Sequence, residues 1–327
     1  MIFDMRYGII GTGWIAEAFI EGARLACGAD IAAVYSRAAE RGEDFARRNG
    51  IAKVYTDINE LAAADVDGVY IASPNALHYE QSKLMLSAGK HVICEKPITV
   101  EPEELIELQA LAAEKGLVYI EAIMYMHNPV RELLRETLGR LGKVTSAHFD
   151  FSQLSSKYPA YKRGELPNIF NPALATGGLM DLGIYCVYPA VDLFGIPDDI
   201  AAKATFLSSG ADGAGSVIFN YADKVITFTY SKIAQDRAGS QIFGDEGTLK
   251  IGSISKLTDM ELIVENGEKY SIHGDTPKAE LMGNEAKAFE RFIAGNNADK
   301  YALSSEIALQ VSRLMKRIRE TAGIHFG

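Results

Sequence analysis

The chain has little cysteine, no excess of positive charge and no long apolar stretch, and each absence excludes something. Its three cysteines, Cys27, Cys94 and Cys186, are odd in number and scattered. That excludes a disulfide framework and reads as buried thiols in a reducing cytoplasm. A net charge of -10 excludes the basic face that a nucleic-acid partner requires. No apolar run approaches the roughly 20 residues of a membrane helix. The start, Met1-Ile-Phe-Asp-Met-Arg6, lacks the basic and apolar regions of a signal peptide. Both observations predict a cytoplasmic protein with no membrane partner. The six histidines are not closely paired with cysteine or with each other, so no metal site is expected.

What remains is an ordinary globular composition, 48% hydrophobic over 327 residues, enough for two domains. Through about residue 122 the pattern alternates strand and helix. Asp30–Tyr35, Gly68–Ala72 and His91–Cys94 are short apolar runs of the kind that fill a parallel sheet. Asp57-Ile-Asn-Glu60 resembles a capping box. Leu77–Ala88 reads as a helix stopped by Gly89, and Glu103–Lys115 as one opened by Pro102 and stopped by Gly116. This repetition predicts an α/β fold with a doubly wound parallel sheet at residues 1–122. Residues 123–327 change character. They carry a helix at Pro129–Leu138, a strand at Lys143–Phe151, a long loop at Ser152–Thr176 and a helix at Leu179–Phe194. Period-2 strands follow between Ala201 and Ser271, with two closing helices at Pro277–Ala294 and Ser304–Thr321. They predict a second domain with a mostly antiparallel sheet.

The most informative stretch is Arg6-Tyr-Gly-Ile-Ile-Gly11-Thr12-Gly13-Trp14-Ile15-Ala16, a strand that runs into Gly-x-Gly-x-x-Ala. Gly11 permits the tight turn, Gly13 allows the backbone to approach a pyrophosphate, and Ala16 lets the helix pack on the strand. The phosphates would meet the free N–H groups of the helix start, where the macrodipole favours negative charge. At the end of the next strand an NAD site carries a carboxylate for the ribose hydroxyls. Here Ser36 and Arg37 stand there, with Arg41 a turn later. Guanidinium groups pair with a 2′-phosphate, which predicts NADP, with NAD possible.

Two further groups could carry chemistry. Glu95-Lys96-Pro97 lies past the carboxyl end of a parallel strand, where ligands of open α/β sheets bind. A lysine there can polarise a carbonyl; spacing alone fits a salt-bridged surface lysine as well. Gly177-Gly-Leu-Met-Asp181-Leu-Gly-Ile-Tyr185 places an acid and a phenol on one helix face. Spacing alone fits a structural pair as well. The loop residues Lys157, Tyr158, Tyr161, Lys162 and Arg163 fit a cover for a polar substrate or a solvated loop.

These motifs, with Ala72-Ser73-Pro74-Asn75-Ala-Leu-His78, stand in an order that resembles the glucose–fructose oxidoreductase / inositol dehydrogenase family (Gfo/Idh/MocA) over essentially the whole chain. The resemblance implies an N-terminal Rossmann domain and a C-terminal domain whose large sheet forms a homodimer or higher homo-oligomer. It implies that Gly11, Thr12, Gly13, Trp14, Ile15, Ser36, Arg37, Arg41, Ser73, Pro74, Asn75, His78, Glu95, Lys96 and Asn128 contact the cofactor. It further implies that Lys96, Asp181 and Tyr185 are catalytic. Many relatives have histidine where this chain has Tyr185, and the tyrosine looks more like the dimeric dihydrodiol dehydrogenase and glucose–fructose oxidoreductase branch. The implied activity is NADP-dependent hydride transfer to or from a sugar, a sugar derivative or a small dicarbonyl. Tyr185 would be the acid or base, its ordinary pKa of about 10 lowered by a nearby Lys96 ammonium. The alternative is a catalytically silent dinucleotide-binding regulator of the same fold.

Overall fold

A computed structural model describes residues 5–326. The leader reading at Met1–Asp4 lies outside them. Two compact units are present, residues 1–127 with 277–309, and residues 128–276 with 310–327.

In the first unit the chain runs β1 (Arg6–Ile10), α1 (Trp14–Cys27), β2 (Asp30–Tyr35), α2 (Ala39–Asn49), β3 (Lys53–Tyr55) and α3 (Ile58–Ala62). It continues through β4 (Gly68–Ile71), α4 (His78–Ser87), β5 (His91–Glu95), α5 (Pro102–Glu114), β6 (Tyr119–Ala122) and α6 (Met124–His127). The six strands pair in parallel in the order β3-β2-β1-β4-β5-β6. Strand order therefore reverses between β1 and β4, the place where open α/β sheets open a crevice beyond their strand ends. β4 is buried along its length, as expected of a strand covered on both faces. Phe19 of α1 stacks on Tyr70 of β4 at 3.8 Å.

The local signals act largely as read. Pro102 opens α5, and Glu104 accepts from the Glu101 N–H at 3.1 Å. Asp57 caps α3 by accepting from the Asn59 N–H at 2.9 Å. It bonds the second helical residue, so the predicted box with Glu60 is not the device used. Leu77 belongs to a 3-10 turn, Asn75–Leu77, and α4 starts one residue later than the pattern predicts.

The second unit contains α7 (Val130–Leu138), β7 (Val144–Ser152), α8 (Tyr158–Lys162), a π-turn at Leu179–Gly183 and α9 (Ile184–Phe194). Strands β8 (Asp199–Phe206), β9 (Asp212–Asn220), β10 (Val225–Ser231), β11 (Ser240–Gly244), β12 (Gly247–Ile251), β13 (Met260–Val264) and β14 (Lys269–His273) follow. They form an eight-stranded sheet in the order β14-β13-β12-β11-β7-β10-β9-β8. It is antiparallel except for the β7–β10 pair. One face is core: Ala202, Val217, Phe228 and Phe149 lie in register across four strands and are all buried.

Helices α10 (Lys278–Ile293) and α11 (Ala298–Ala322) end the chain. α10 packs closely on α1 within the first unit. Gly22 and Gly283 leave no room for a side chain between the two backbones.

Three further expectations need correction. The segment 152–176, read as a loop, contains α8 and two 3-10 turns. Tyr158, Tyr161 and Phe170 form a small aromatic cluster there, and Tyr161 accepts from the Ser209 N–H at 3.0 Å. Pro172–Phe194 is long and apolar enough to cross a membrane by length and composition, contrary to the reading that no run approaches that length. Within the unit, however, 83% of its most apolar window is buried, so its side chains are accounted for by the core. Cys94 and Cys186 are buried free thiols, whereas Cys27 is only half-buried.

Candidate active site

Four of the predicted segments lie past the carboxyl ends of neighbouring strands in the first unit. Gly11–Ile15 follows β1, Ser36 follows β2, Ser73–Asn75 follows β4, and Lys96 follows β5. One edge of the sheet therefore collects them.

The turn after β1 has the geometry its glycines suggest. Gly11 sits at φ +112°, and a Cβ there would strike the Ala72 carbonyl, so β1 and β4 approach too closely for any side chain. A Cβ at Gly13 would meet nothing within 4 Å, which leaves space over the first turn of α1. Among the described residues no side chain caps that helix, so its leading N–H groups are available to an anion. Trp14 is 67% exposed, and the Lys278 ammonium lies 3.9 Å from its ring centre, a close cation–π arrangement.

Past β2, Ser36 is buried and donates its hydroxyl to the Ala38 carbonyl at 2.9 Å. Arg37 and Arg41 are exposed. Their neighbours Arg47 and Arg48 are tied to Asp44, and Arg48 also to Glu17. Among the described residues no carboxylate pairs with Arg37 or Arg41. Two guanidinium groups beside the β2 end, together with an open glycine and an uncapped helix start, fit a dinucleotide carrying a 2′-phosphate.

The Glu95-Lys96-Pro97 loop is held from three sides. Tyr70 donates to Glu95, Glu121 accepts from the Ile98 N–H at 2.9 Å, and His78 reaches the Pro97 carbonyl at 2.8 Å. The other His78 ring nitrogen lies 2.9 Å from the Ser73 carbonyl. His78 has no exposed surface, and burial lowers its pKa against the pull of those two carbonyls. It ties the loop after β4 to the loop after β5 and presents no surface to a ligand. Burial likewise raises the Glu95 carboxyl, while Tyr70 and Lys96 pull it back.

Neither Lys278 nor Glu285 is marked by any motif in the sequence. Glu285 of α10 is 1% exposed, with Oε2 lacking a hydrogen bond among the described residues. Burial and the nearby Glu95 charge push its carboxyl well above the usual range. Two neighbouring buried carboxylates resist ionising together.

Asp181 and Tyr185 belong to the second unit, one turn apart, but the turn between them is a π-turn rather than the α-helix their spacing predicts. Such turns occur mostly as single insertions and frequently at functional sites. The glycines that precede it have a packing reason. A Cβ at Gly177 would strike Asp212, and one at Gly178 would come within 2.9 Å of the Tyr230 ring. Asp212 accepts from the Leu179 N–H at 2.7 Å and so holds the start of the turn. Its burial raises its pKa to about 6. The Tyr185 ring meets Phe151 edge-on at 5.2 Å. Asp181 is ion-paired with Lys232, another residue the sequence does not mark. Asn128, expected at the cofactor, donates to the Lys256 carbonyl at 2.8 Å and accepts from the Val130 N–H at 3.0 Å. Its amide is engaged at both ends in opening α7. No cluster of three metal-ligating side chains occurs among the described residues.

Comparison with known proteins adds to this geometry. Residues 5–123 match the family model described as "Oxidoreductase family, NAD-binding Rossmann fold", and residues 127–250 match the "GFO/IDH/MocA C-terminal domain". The scyllo-inositol 2-dehydrogenase (NADP(+)) IolU of Bacillus subtilis is 39% identical over 98% of both chains. The trans-1,2-dihydrobenzene-1,2-diol dehydrogenase of Mus musculus is 33% identical over 81% of this chain and 79% of its own. The solved structure of KijD10, a 3-ketoreductase from Actinomadura kijaniata in complex with NADP and TDP-benzene, has a TM-score of 0.85 at 21% identity, covering 98% of each chain. That likeness shows a shared fold.

Proposed function

The chain belongs to the Gfo/Idh/MocA family of oxidoreductases, and from that premise we propose an NADP-dependent enzyme that moves a hydride between nicotinamide and a carbonyl or carbinol carbon of a sugar, a sugar derivative or a small dicarbonyl. The observation that carries the cofactor preference is the pair Arg37 and Arg41, exposed at the end of β2 and without a carboxylate among the described residues. The NADP(+) dependence in the name of the Bacillus subtilis relative supports it.

The cofactor supplies the hydride. Gly11, Thr12, Gly13, Trp14 and Ile15 would hold its pyrophosphate at the start of α1, and Ser36, Arg37 and Arg41 would hold the phosphorylated ribose. Ser73, Pro74, Asn75 and Glu95 line the path beyond. In the direction of reduction Tyr185 would give its phenolic proton to the substrate oxygen, and in oxidation it would take that proton back. The Lys96 ammonium would stabilise negative charge growing on a substrate oxygen. Asp181 orients a substrate hydroxyl. The half-exposed face of the second sheet, which carries Ile218 and Val225, fits a homodimer or higher oligomer. Light scattering at micromolar concentration checks this, and a monomer would rule it out. A cytoplasmic location accompanies this reading.

The test is oxidation of NADPH, against NADH, over keto-sugars, anhydro-sugars, inosose-type ketones and α-dicarbonyls, with Lys96→Met alongside. Turnover with NADPH that Lys96→Met abolishes supports the enzyme. Tight NADPH binding with no turnover over the panel shifts the weight to a dinucleotide-binding regulator.

A further inference from the structure

We propose that Lys232 is a positioning residue for the reaction, holding the Asp181 carboxylate in place from beneath the π-turn. The inference rests on the reading of Asp181 and Tyr185 as reacting-centre residues.

Lys232 is 4% exposed, and its Nζ bonds Asp181 Oδ2. An ammonium this far from water requires a charged partner. The Asp181 side chain is 36% exposed. The pair therefore has a dry cationic end and a wet anionic end, so the carboxylate is reachable while its counter-charge is not.

The lysine is presented by a rigid support. It directly follows β10, its N–H donates to the Gly213 carbonyl at 2.8 Å, and its carbonyl accepts from the Ser155 N–H at 2.9 Å. The Ser231 hydroxyl beside it accepts from the Ile233 and Ala234 N–H groups at 3.1 and 2.9 Å. The β9–β10 hairpin thus grips the π-turn twice. Asp212, at its first strand, takes the Leu179 N–H, and Lys232, past its second, takes the Asp181 carboxylate. A functional group fixed by a buried partner on a rigid element keeps its geometry through the reaction.

Stability alone does not explain the lysine. Replacing a buried ion pair by apolar groups is frequently neutral or stabilising, whereas removing one partner strands the other. Here the stranded partner of Lys232→Met would be Asp181, which can turn to water. A purely structural lysine would therefore be dispensable for turnover in a folded Lys232→Met protein.

The experiment compares wild type, Lys232→Met, Lys232→Gln, Lys232→Arg, Asp181→Asn and the double variant Lys232→Met/Asp181→Asn, as full-length chains. NADPH affinity is read by fluorescence, turnover on the substrate found in the panel, and amide exchange over residues 179–185 by mass spectrometry. Lys232→Met and Lys232→Gln are expected to keep NADPH affinity within about twofold and to lose kcat by about 10- to 100-fold, far more than KM changes. Lys232→Arg should recover part of that loss. The double variant should be no worse than Asp181→Asn alone, because the two act as one unit. Exchange at the π-turn should rise at least about tenfold in Lys232→Met, a readout that needs no substrate. Wild-type kcat in folded Lys232→Met or Lys232→Gln, or unchanged exchange at the π-turn, overturns the proposal. If those variants are unaffected while Asp181→Asn and Tyr185→Phe lose turnover, the site reading stands and the lysine's role falls. If Asp181→Asn and Tyr185→Phe also turn over normally, the site reading fails and takes the proposal with it.

Discussion

The two units hold their candidate functional groups in opposite ways. In the first, the parts offered to a ligand are largely backbone: the open Gly13 and the uncapped start of α1, set beside the ends of adjacent parallel strands. In the second, the groups are side chains held by other side chains from distant positions. Asp181 is fixed by Lys232, Tyr185 is braced by Phe151, and the turn between them hangs from Asp212. A backbone cradle needs only a few residues in order, and a run of sequence records it. A side-chain network needs partners that the chain brings together from dozens of residues apart.

If that contrast is correct, substitutions should separate binding from chemistry by unit. The largest effect is expected in the second unit. Tyr185→Phe should lower kcat by about 10²–10⁴-fold while leaving NADPH affinity unchanged, measured by steady-state kinetics and fluorescence titration. A parallel loss of NADPH binding would blur the distinction. In the first unit, Gly13→Val should weaken NADPH by roughly 10²-fold with little change in Tm, because the added side chain has room in the protein but lies where a pyrophosphate must approach. A large fall in Tm would instead make Gly13 a folding residue.

Smaller and more selective effects should follow at the β2 end. Arg37→Ala and Arg41→Ala should each raise the NADPH dissociation constant by about 10-fold and leave that for NADH nearly unchanged. Equal losses for both cofactors would remove the 2′-phosphate from their role. The smallest effect concerns Asp212. Its carboxyl is raised to about 6 by burial, so the folded state binds its proton more tightly than the unfolded state does. The resulting stability is fully present below about pH 4 and is lost as pH rises through about 6. Asp212→Asn cannot lose it. Relative to wild type the variant should gain about 1–3 kcal/mol between pH 4 and pH 7 in denaturant melts. A flat difference would show that Asp212 titrates normally.

Local signals in the first unit were legible because each is a short-range device. Asp30–Tyr35 is the β2 strand as its apolar run indicates, and Pro102 opens α5. The Gly11 turn fits because no side chain clears the Ala72 carbonyl. Where competing local bonds decide, the reading slipped. Asp57 bonds Asn59 instead of forming a box with Glu60, and Asn75–Leu77 winds as a 3-10 turn before α4 begins. In the second unit, the spacing of Asp181 and Tyr185 does not reveal why two glycines precede them. Those glycines make room for Asp212 and Tyr230, from two strands that follow in the chain.

By itself the sequence determined the parallel α/β sheet, the glycine turn after β1 and the absence of an acid at the end of β2, because these depend on residue order over one strand and one turn. Only the tertiary structure decided that His78 and Asn128 serve the protein's own backbone and that α10 packs on α1 with a buried Glu285. It alone decided that a π-turn separates Asp181 from Tyr185 and that Lys232 lies beneath it. The physical reason is common to all four. Burial and charge pairing are set by which distant segments share a space, and no spacing along one segment encodes that.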